Sequence, residues 1–274
     1  MGLKIFLLVF SLVLVVYVYA GLIKVDEYNR GYVSLLNEEG KVFLEFTDRN
    51  HNVYRKNFIF MGKAYDCSIY KNKVFIVGNS HSTGVLYVAD LTGTVAFKRF
   101  SKDSKILQVI PSDKGLFLVE KQRNGYTVML TDFYGHLIWK RNMPERSDFV
   151  RVEVEKYLYV VFERSIYVLD VKGNILSKKN YKGISIAFLK ENELYVIFNK
   201  KNYSIAQDGR VFLEDRVRNL CVKGNDVYVV GEKGVWKNSK LLLKGIFRGI
   251  NCTKDCIIVW TDNDFFSMCG ESER

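Results

Sequence analysis

The sequence predicts an all-β protein built from repeated four-stranded sheets, the arrangement of a β-propeller, on three observations. Short runs of Val, Ile, Leu, Tyr and Phe alternate with turn residues along the chain, and helical periodicity is nearly absent after the N-terminus. One kind of run recurs as "KVFIV" (Lys73–Val77), "GLFLV" (Gly115–Val119), "YLYVVF" (Tyr157–Phe162), "ELYVIF" (Glu193–Phe198), "DVYVV" (Asp226–Val230) and "CIIVW" (Cys256–Trp260). With Phe75, Phe117, Tyr159, Tyr195, Tyr228 and Ile258 taken as equivalent, the steps are 42, 42, 36, 33 and 30 residues. The third observation is a repeated turn, Asp-x-x-Gly, followed by an apolar stretch and a basic pair. Four short strands per unit at a period of roughly 40 residues is the signature of a propeller.

The chain opens on a different element. "IFLLVFSLVLVVYVYAGLI" (Ile5–Ile23) contains no charge. As a helix these residues extend roughly 28 Å, about the thickness of a bilayer's hydrocarbon core. The segment is read as a single-pass signal-anchor, with Lys4 and the N-terminus on the cytoplasmic side. A cleaved signal peptide is the alternative, since Val18 and Ala20 stand at the small-residue positions before a cut. Either reading places the rest of the chain outside the cytoplasm, as a membrane-anchored protein or a secreted one. The chain is thus divided into an N-terminal helix, 1–24, and one β-propeller domain, 25–274.

Within that domain, Tyr32–Phe58 reads as strand, turn, strand, turn, strand, and it makes a first unit before the six aligned runs. About seven blades are therefore expected, with six as the alternative. The last unit, Ile250–Glu271, is short and lacks an outer strand, so the two ends are expected to share a blade and close the ring. Pro111 and Pro144 are both assigned to inter-strand turns, and no Pro- or Ser-rich linker divides the chain.

The turn motif is clearest in "TDFYGHLIW" (Thr131–Trp139), with "ADLTGTVAF" (Ala89–Phe97) placing Phe97 where Trp139 stands and "LDVKGNILS" (Leu169–Ser177) placing Ser177 there. A fourth copy, "TDRNHNVYRKN" (Thr47–Asn57), has Asn50 at the place of the glycine. Asp90, Asp132 and Asp170 are read as structural, accepting backbone N–H bonds in tight turns where Gly93, Gly135 and Gly173 supply positive φ. The same role is given to Asp48. An Asp-x-x-Gly turn with an aromatic four residues after the glycine resembles the repeat of quinoprotein-type, pyrroloquinoline-quinone-like propellers. The resemblance covers most of Tyr32–Gly270 as architecture, and two or three units carry the motif well. It implies the propeller fold; the quinone ligands of that family do not map onto this sequence, and no cofactor is expected.

The formal net charge is +11, from 41 Lys+Arg against 30 Asp+Glu. Part of the excess lies in pairs after the turn: Arg55-Lys56, Lys98-Arg99, Lys140-Arg141 and Lys178-Lys179. They fall on outermost strands, where charge blocks strand-to-strand aggregation or forms a basic belt toward an acidic surface. His51, His81 and His136 have no metal-ligand spacing, and no nucleophile elbow, phosphate loop or dinucleotide fingerprint occurs. Catalytic residues are therefore unassigned and no metal site is expected. Asn202 and Asn251 head glycosylation sequons, "NYS" and "NCT". Of the five cysteines, Cys252 and Cys256 flank a three-residue turn and form the first candidate disulfide, with Cys252–Cys269 the second; otherwise all five are small buried apolar residues.

These features point to a membrane-anchored extracytoplasmic propeller that acts as a protein-binding scaffold or envelope assembly factor. Its partners are the membrane, through the N-terminal helix, and a protein or envelope component; nucleic acid is not expected. The other class is an exported hydrolase or oxidoreductase with its site at the central channel. The residues lining that channel discriminate the two.

Overall fold

The computed structural model describes residues 21–28, 31–190, 193–198, 206–207, 210–211, 215–238 and 240–269, and every regular element among them is a β-strand. The first sheet runs outward in the order β1 (Gly21–Tyr28), β2 (Gly31–Glu38), β3 (Lys41–Asp48) and β4 (Val53–Met61). The second holds β5 (Lys63–Tyr70), β6 (Lys73–Ser80), β7 (Thr83–Asp90) and β8 (Val95–Ser101). The third holds β9 (Lys105–Ser112), β10 (Gly115–Gln122), β11 (Gly125–Thr131) and β12 (Leu137–Met143). The fourth holds β13 (Phe149–Val154), β14 (Leu158–Phe162), β15 (Ser165–Leu169) and β16 (Ile175–Asn180). In the fifth unit β17 (Ile184–Lys190) pairs with β18 (Glu193–Phe198), and β19 (Ala206–Gln207) with β20 (Arg210–Val211). The sixth sheet is β21 (Asn219–Lys223), β22 (Asp226–Val230), β23 (Gly234–Lys237) and β24 (Lys240–Lys244). The seventh has three strands, β25 (Gly249–Cys252), β26 (Cys256–Trp260) and β27 (Phe265–Cys269). All described pairings are antiparallel, as consecutive strands joined by short turns require.

The aligned runs of the sequence are the second strands of these blades. They are buried on both faces because each blade is sandwiched between two others, so β6, β10 and β14 read as nearly continuous apolar runs. First strands bury only two residues each in β5 and β9, three apart across a bulge, since they form the innermost edge of each sheet. Pro111 lies inside β9 and not in a turn; an innermost strand is a sheet edge, where a missing backbone donor breaks no central ladder.

The core is divided accordingly. One apolar cluster joins each blade to the next, from the first and second blades (Leu44, Phe46 with Val74, Ile76) round to the sixth and seventh (Val230, Val235 with Ile257, Val259). The ring closes through Leu22, Val25, Tyr32 and Leu36 of the first blade against Cys256, Ile258, Trp260 and Phe265 of the seventh. Among the described residues the ends meet by packing: the first blade takes all four strands from 21–61, and the seventh has three. The backbone N–H of Leu22 donates to the Asp262 carbonyl across this junction at 3.1 Å.

The expected membrane helix over Ile5–Ile23 lies, as far as Ala20, outside the described residues. Its last three residues, Gly21–Ile23, open strand β1 instead, because Leu22 is needed in the closing cluster. The boundary between 24 and 25 accordingly falls inside a strand. Among the described residues no helix is long and apolar enough to cross a membrane.

The turn aspartates bond the backbone of their own turns. In each turn one carboxylate oxygen accepts two backbone N–H bonds: Asp90 from Thr92 and Thr94, Asp132 from Tyr134 and His136, Asp170 from Lys172 and Asn174, at 2.8–2.9 Å. Gly93, Gly135 and Gly173 have φ of +78°, +82° and +82°. In the first blade the left-handed residue is His51, at φ 65°, and not Asn50. Counting three residues on from Asp48 reaches His51, whose N–H donates to the Asp48 carbonyl as Gly93 does to Asp90.

The outer strands of the first three blades dock on the next turn. Phe97 packs on Gly135 and Arg99 donates to its carbonyl at 2.9 Å. Trp139 packs on Gly173 and Arg141 donates to its carbonyl at 2.8 Å. In the first blade Asn57 takes the aromatic's place against Gly93, and both Asn57 and Arg55 donate to the Thr92 carbonyl. At the closure His51 stacks on Phe265 with ring centroids 4.4 Å apart, so the imidazole occupies the ground that an outer-strand aromatic covers elsewhere.

The disulfides differ from the expected pair. Cys252 is bonded to Cys221 and Cys256 to Cys269, with Cα atoms 5.5 and 4.0 Å apart. The register explains it: Cys252 faces Ile257, so Cys256, one residue before, points to the opposite side of the sheet. Cys256 lies directly opposite Cys269 on β27. The first bond staples the innermost strands of the sixth and seventh blades; the second pins the short last blade. Cys67 is a free, buried thiol, pushed up to about 12 by burial in the apolar interface of the first two blades.

Candidate functional site

The innermost strands of all seven units surround a cavity of about 570 Å³. Each strand contributes to its wall, including Lys24 (β1), Asp66 (β5), Gln108 (β9), Arg151 (β13), Phe188 (β17) and Asn219 (β21). This arises from the period-2 alternation: one side chain in two points away from the packed blade faces and into the channel.

Its polar side chains bond from blade to blade. Lys24 Nζ donates to Asp66 Oδ1 at 2.9 Å and to the Cys67 carbonyl at 2.5 Å. The other oxygen of Asp66 accepts from the Val109 N–H at 3.3 Å, so one carboxylate ties the first three blades together. Gln108 extends the chain: its amide accepts from the Val152 N–H at 2.7 Å and donates to the Val152 carbonyl at 3.2 Å. Arg151 and Glu153 form an ion pair on β13. Cys221–Cys252 joins the sixth blade to the seventh, and Asn251 donates to the Val25 carbonyl and to Asp26 Oδ1 at 3.1 and 3.2 Å, joining the seventh to the first.

The charges respond to this enclosure. Burial raises the carboxyls of Asp26 and Glu153 above the ordinary range, with Lys24 and Arg151 respectively as the leading opposing influence. For Lys24, burial alone would lower the ammonium; the attraction of Asp66 leads the influences that outweigh it, and its affinity for the proton rises. A carboxylate that holds backbone amides and an ammonium of adjacent strands is a cross-brace. Chemically, the arrangement fixes blades against one another and lines the cavity with paired charges.

Sequence-predicted residues fall elsewhere. The Asp-x-x-Gly turns lie at the outer end of the blades, away from the channel, between third and fourth strands. Asn251 is not on the surface loop that a glycosylation acceptor needs; it sits on β25 in the channel wall, and its amide nitrogen holds the first blade. Asn202 lies outside the described residues. Lys24, Asp66, Gln108, Arg151 and Glu153 were not singled out in the sequence. A usable signal exists for two of them: Asp66 and Gln108 each stand nine residues before an aligned aromatic, Phe75 and Phe117, at the fourth position of their strand.

With this geometry in hand, comparison with known proteins gives the fold class. The chain is similar in structure to the Neurospora crassa Pan2 WD40 domain, with a TM-score of 0.69 at 9% identity over 92% of this chain and 89% of that one. It is similar to the Dos1 propeller, with a TM-score of 0.63 at 10% identity over 91% and 77%. It also resembles BamB from Moraxella catarrhalis, at 0.50 and 12% identity over 86% and 80%. No family model and no curated protein matches the chain. The protein is a β-propeller, and identities this low speak to its fold alone.

Proposed function

We propose that this propeller stands outside the cytoplasm, held at a membrane by its N-terminal segment, and binds a protein partner as a scaffold or envelope assembly factor. One observation carries the reading: Lys24, Asp66, Gln108 and Asn251 of the channel are engaged in blade-to-blade bonds and Arg151 is paired with Glu153, whereas large apolar side chains stand in solvent outside the channel. Tyr54 is 63% exposed and Ile246 68%. A cavity whose carboxylates are paired is suited to rigidity, and exposed apolar side chains to contact with another protein. Two disulfides support the extracytoplasmic placement, since such bonds persist in oxidising compartments. The Asp turns and the docking of Phe97 and Trp139 on the next turn support a repeat of the quinoprotein type. The test is co-purification from membranes with the full chain. A partner retained at equal stoichiometry, and released by Tyr54→Asp with Ile246→Asp, is the expected result. Turnover of a substrate that is abolished by Asp66→Asn, with folding intact, would instead make the channel an active site.

A further inference from the structure

The outer strands share a composition that the core and the channel do not explain, and that bonds to the next blade (Arg55, Arg99, Arg141) and ion pairs of Lys56 with Glu38 and Lys178 with Glu145 explain only in part. Strands β4, β8, β12, β16 and β24 each carry two Lys or Arg and no Asp or Glu. Each also exposes large apolar side chains, among them Tyr54, Phe100, Ile138, Leu176 and Leu241. Protection of a sheet edge needs the charge and not the exposed apolar groups.

The repeat is positional as well as compositional. Lys56, Lys98, Lys140 and Lys178 all stand five residues after the left-handed residue of their turn. Arg99 and Arg141, one residue on, bond the next blade, so alternation sends Lys98 and Lys140 to the opposite side of their strands.

We propose that this rim is a docking surface for an extended acidic and apolar protein segment, which adds as a fifth strand to the free edge of a blade. The proposal rests on the partner-binding reading above and names the chemistry of the partner. Each outer strand is paired on one side within its sheet, which leaves a row of backbone donors and acceptors facing out. A second copy of the chain would bring Lys and Arg opposite Lys and Arg, which disfavours pairing; an acidic strand brings opposite charges into register. The exposed apolar residues then cover the alternate side chains of the added strand. The pattern recurs on four consecutive blades and again on the sixth, and so curves around the ring. A flat bilayer meets one short arc of such a ring, whereas a strand site is local to a blade and can recur.

The test uses the full chain with three probes: a capped peptide of alternating Glu and Val, its Lys and Val counterpart, and vesicles of phosphatidylglycerol with phosphatidylcholine. The expected result is binding of the acidic peptide, with slowed amide exchange confined to outer strands. Lys98→Glu with Lys140→Glu should weaken that binding at least tenfold, and Lys98→Gln with Lys140→Gln by less, which keeps the test sound if the charge reversal perturbs folding. Equal binding of the basic peptide, unchanged exchange in the outer strands, or binding to vesicles alone would overturn the proposal. If a native partner is captured equally by wild type and both variants, the scaffold reading stands and the rim is not its site.

Discussion

Trp139 donates its indole N–H to the carbonyl of Val171 at 3.0 Å, and its ring lies against Gly173, where a β-carbon would stand 2.7 Å from Cε3. The two residues belong to successive blades, so this contact is a joint of the ring. Gly173 serves it twice, by its φ of +82° and by its lack of a side chain.

Mutating either side should open the joint. Trp139 is half-buried, so Trp139→Ala should cost about 2 kcal/mol, below the ~3–5 kcal/mol typical of a fully buried ring. Gly173→Ala meets both backbone strain and the ring, and should destabilise at least as much. Paired denaturant melts of the two variants and the double variant check this. The double variant should lose less than the sum, because both remove one contact. Full additivity would mean that the ring and the glycine do not act together.

The disulfides make a separate expectation. Cys221–Cys252 closes a separation of 31 residues, for which the chain-entropy relation gives about 3–4 kcal/mol. Reduction should lower the melting temperature, and Cys221→Ser with Cys252→Ser should reproduce most of that loss. Non-reducing peptide mapping should recover 221 joined to 252 and 256 joined to 269. Cys67, buried and with its thiol near 12, should react with alkylating reagents only after unfolding.

How much of this was legible in the sequence depends on the range of the interaction. The second strands could be aligned because burial on both faces makes each a continuous apolar run, and the Asp turns because their bonds span four residues. The cysteine pairs could not be read from spacing, because they depend on register: one residue separates Cys256 from the side of the sheet on which Cys252 lies. The channel was hidden for the same reason. Lys24 and Asp66 are 42 residues apart and meet only once two blades are placed side by side. His51 was misplaced by one residue, since Asn50 has the better known tolerance for positive φ, yet the hydrogen bond to Asp48 fixes the count.

Acid should loosen the ring at identifiable carboxylates. Burial alone would raise Glu145, but Ser165, Ser147 and the Arg146 N–H donate to it and hold it at about 2. The four turn aspartates are lowered as well: Asp48, Asp90 and Asp170 led by side-chain bonds from Asn52, Thr92 and Asn174, and Asp132 by bonds from His136 against the opposing effect of burial. A folded-state value below the unfolded one gives stability that is fully present above the unfolded value, roughly pH 4–4.5, and is lost as pH falls through the folded one. Urea midpoints should therefore fall between pH 4.5 and 2, whereas the raised carboxyls of Asp26 and Glu153 act the other way and add stability as pH falls through their folded values towards 4.5. Glu145→Gln should be less stable than wild type at pH 6 and should narrow the gap at pH 2.5. A gap that is the same at both values would remove Glu145 from the acid response.

The last expectation concerns the N-terminus, where the first strand competes with the apolar segment for residues. Strand β1 begins at Gly21, and Leu22 is packed into the closure against the seventh blade. A membrane helix retained ahead of it must end by Ala20, which leaves sixteen residues of the uncharged run, Ile5–Ala20, or about 24 Å of helix. The hydrocarbon core is about 30 Å, so Lys4 would have to extend its stem along the core and keep its ammonium at the interface. The propeller would then adjoin the bilayer with no linker, the start of β1 and the Asp262 turn facing it. Carbonate-washed membranes from cells making the full chain should retain the protein, with its N-terminal peptide beginning at or near Met1. A soluble product that begins at Gly21 would mean cleavage after Ala20, at the residue where the strand begins, and the secreted form would replace the anchored one.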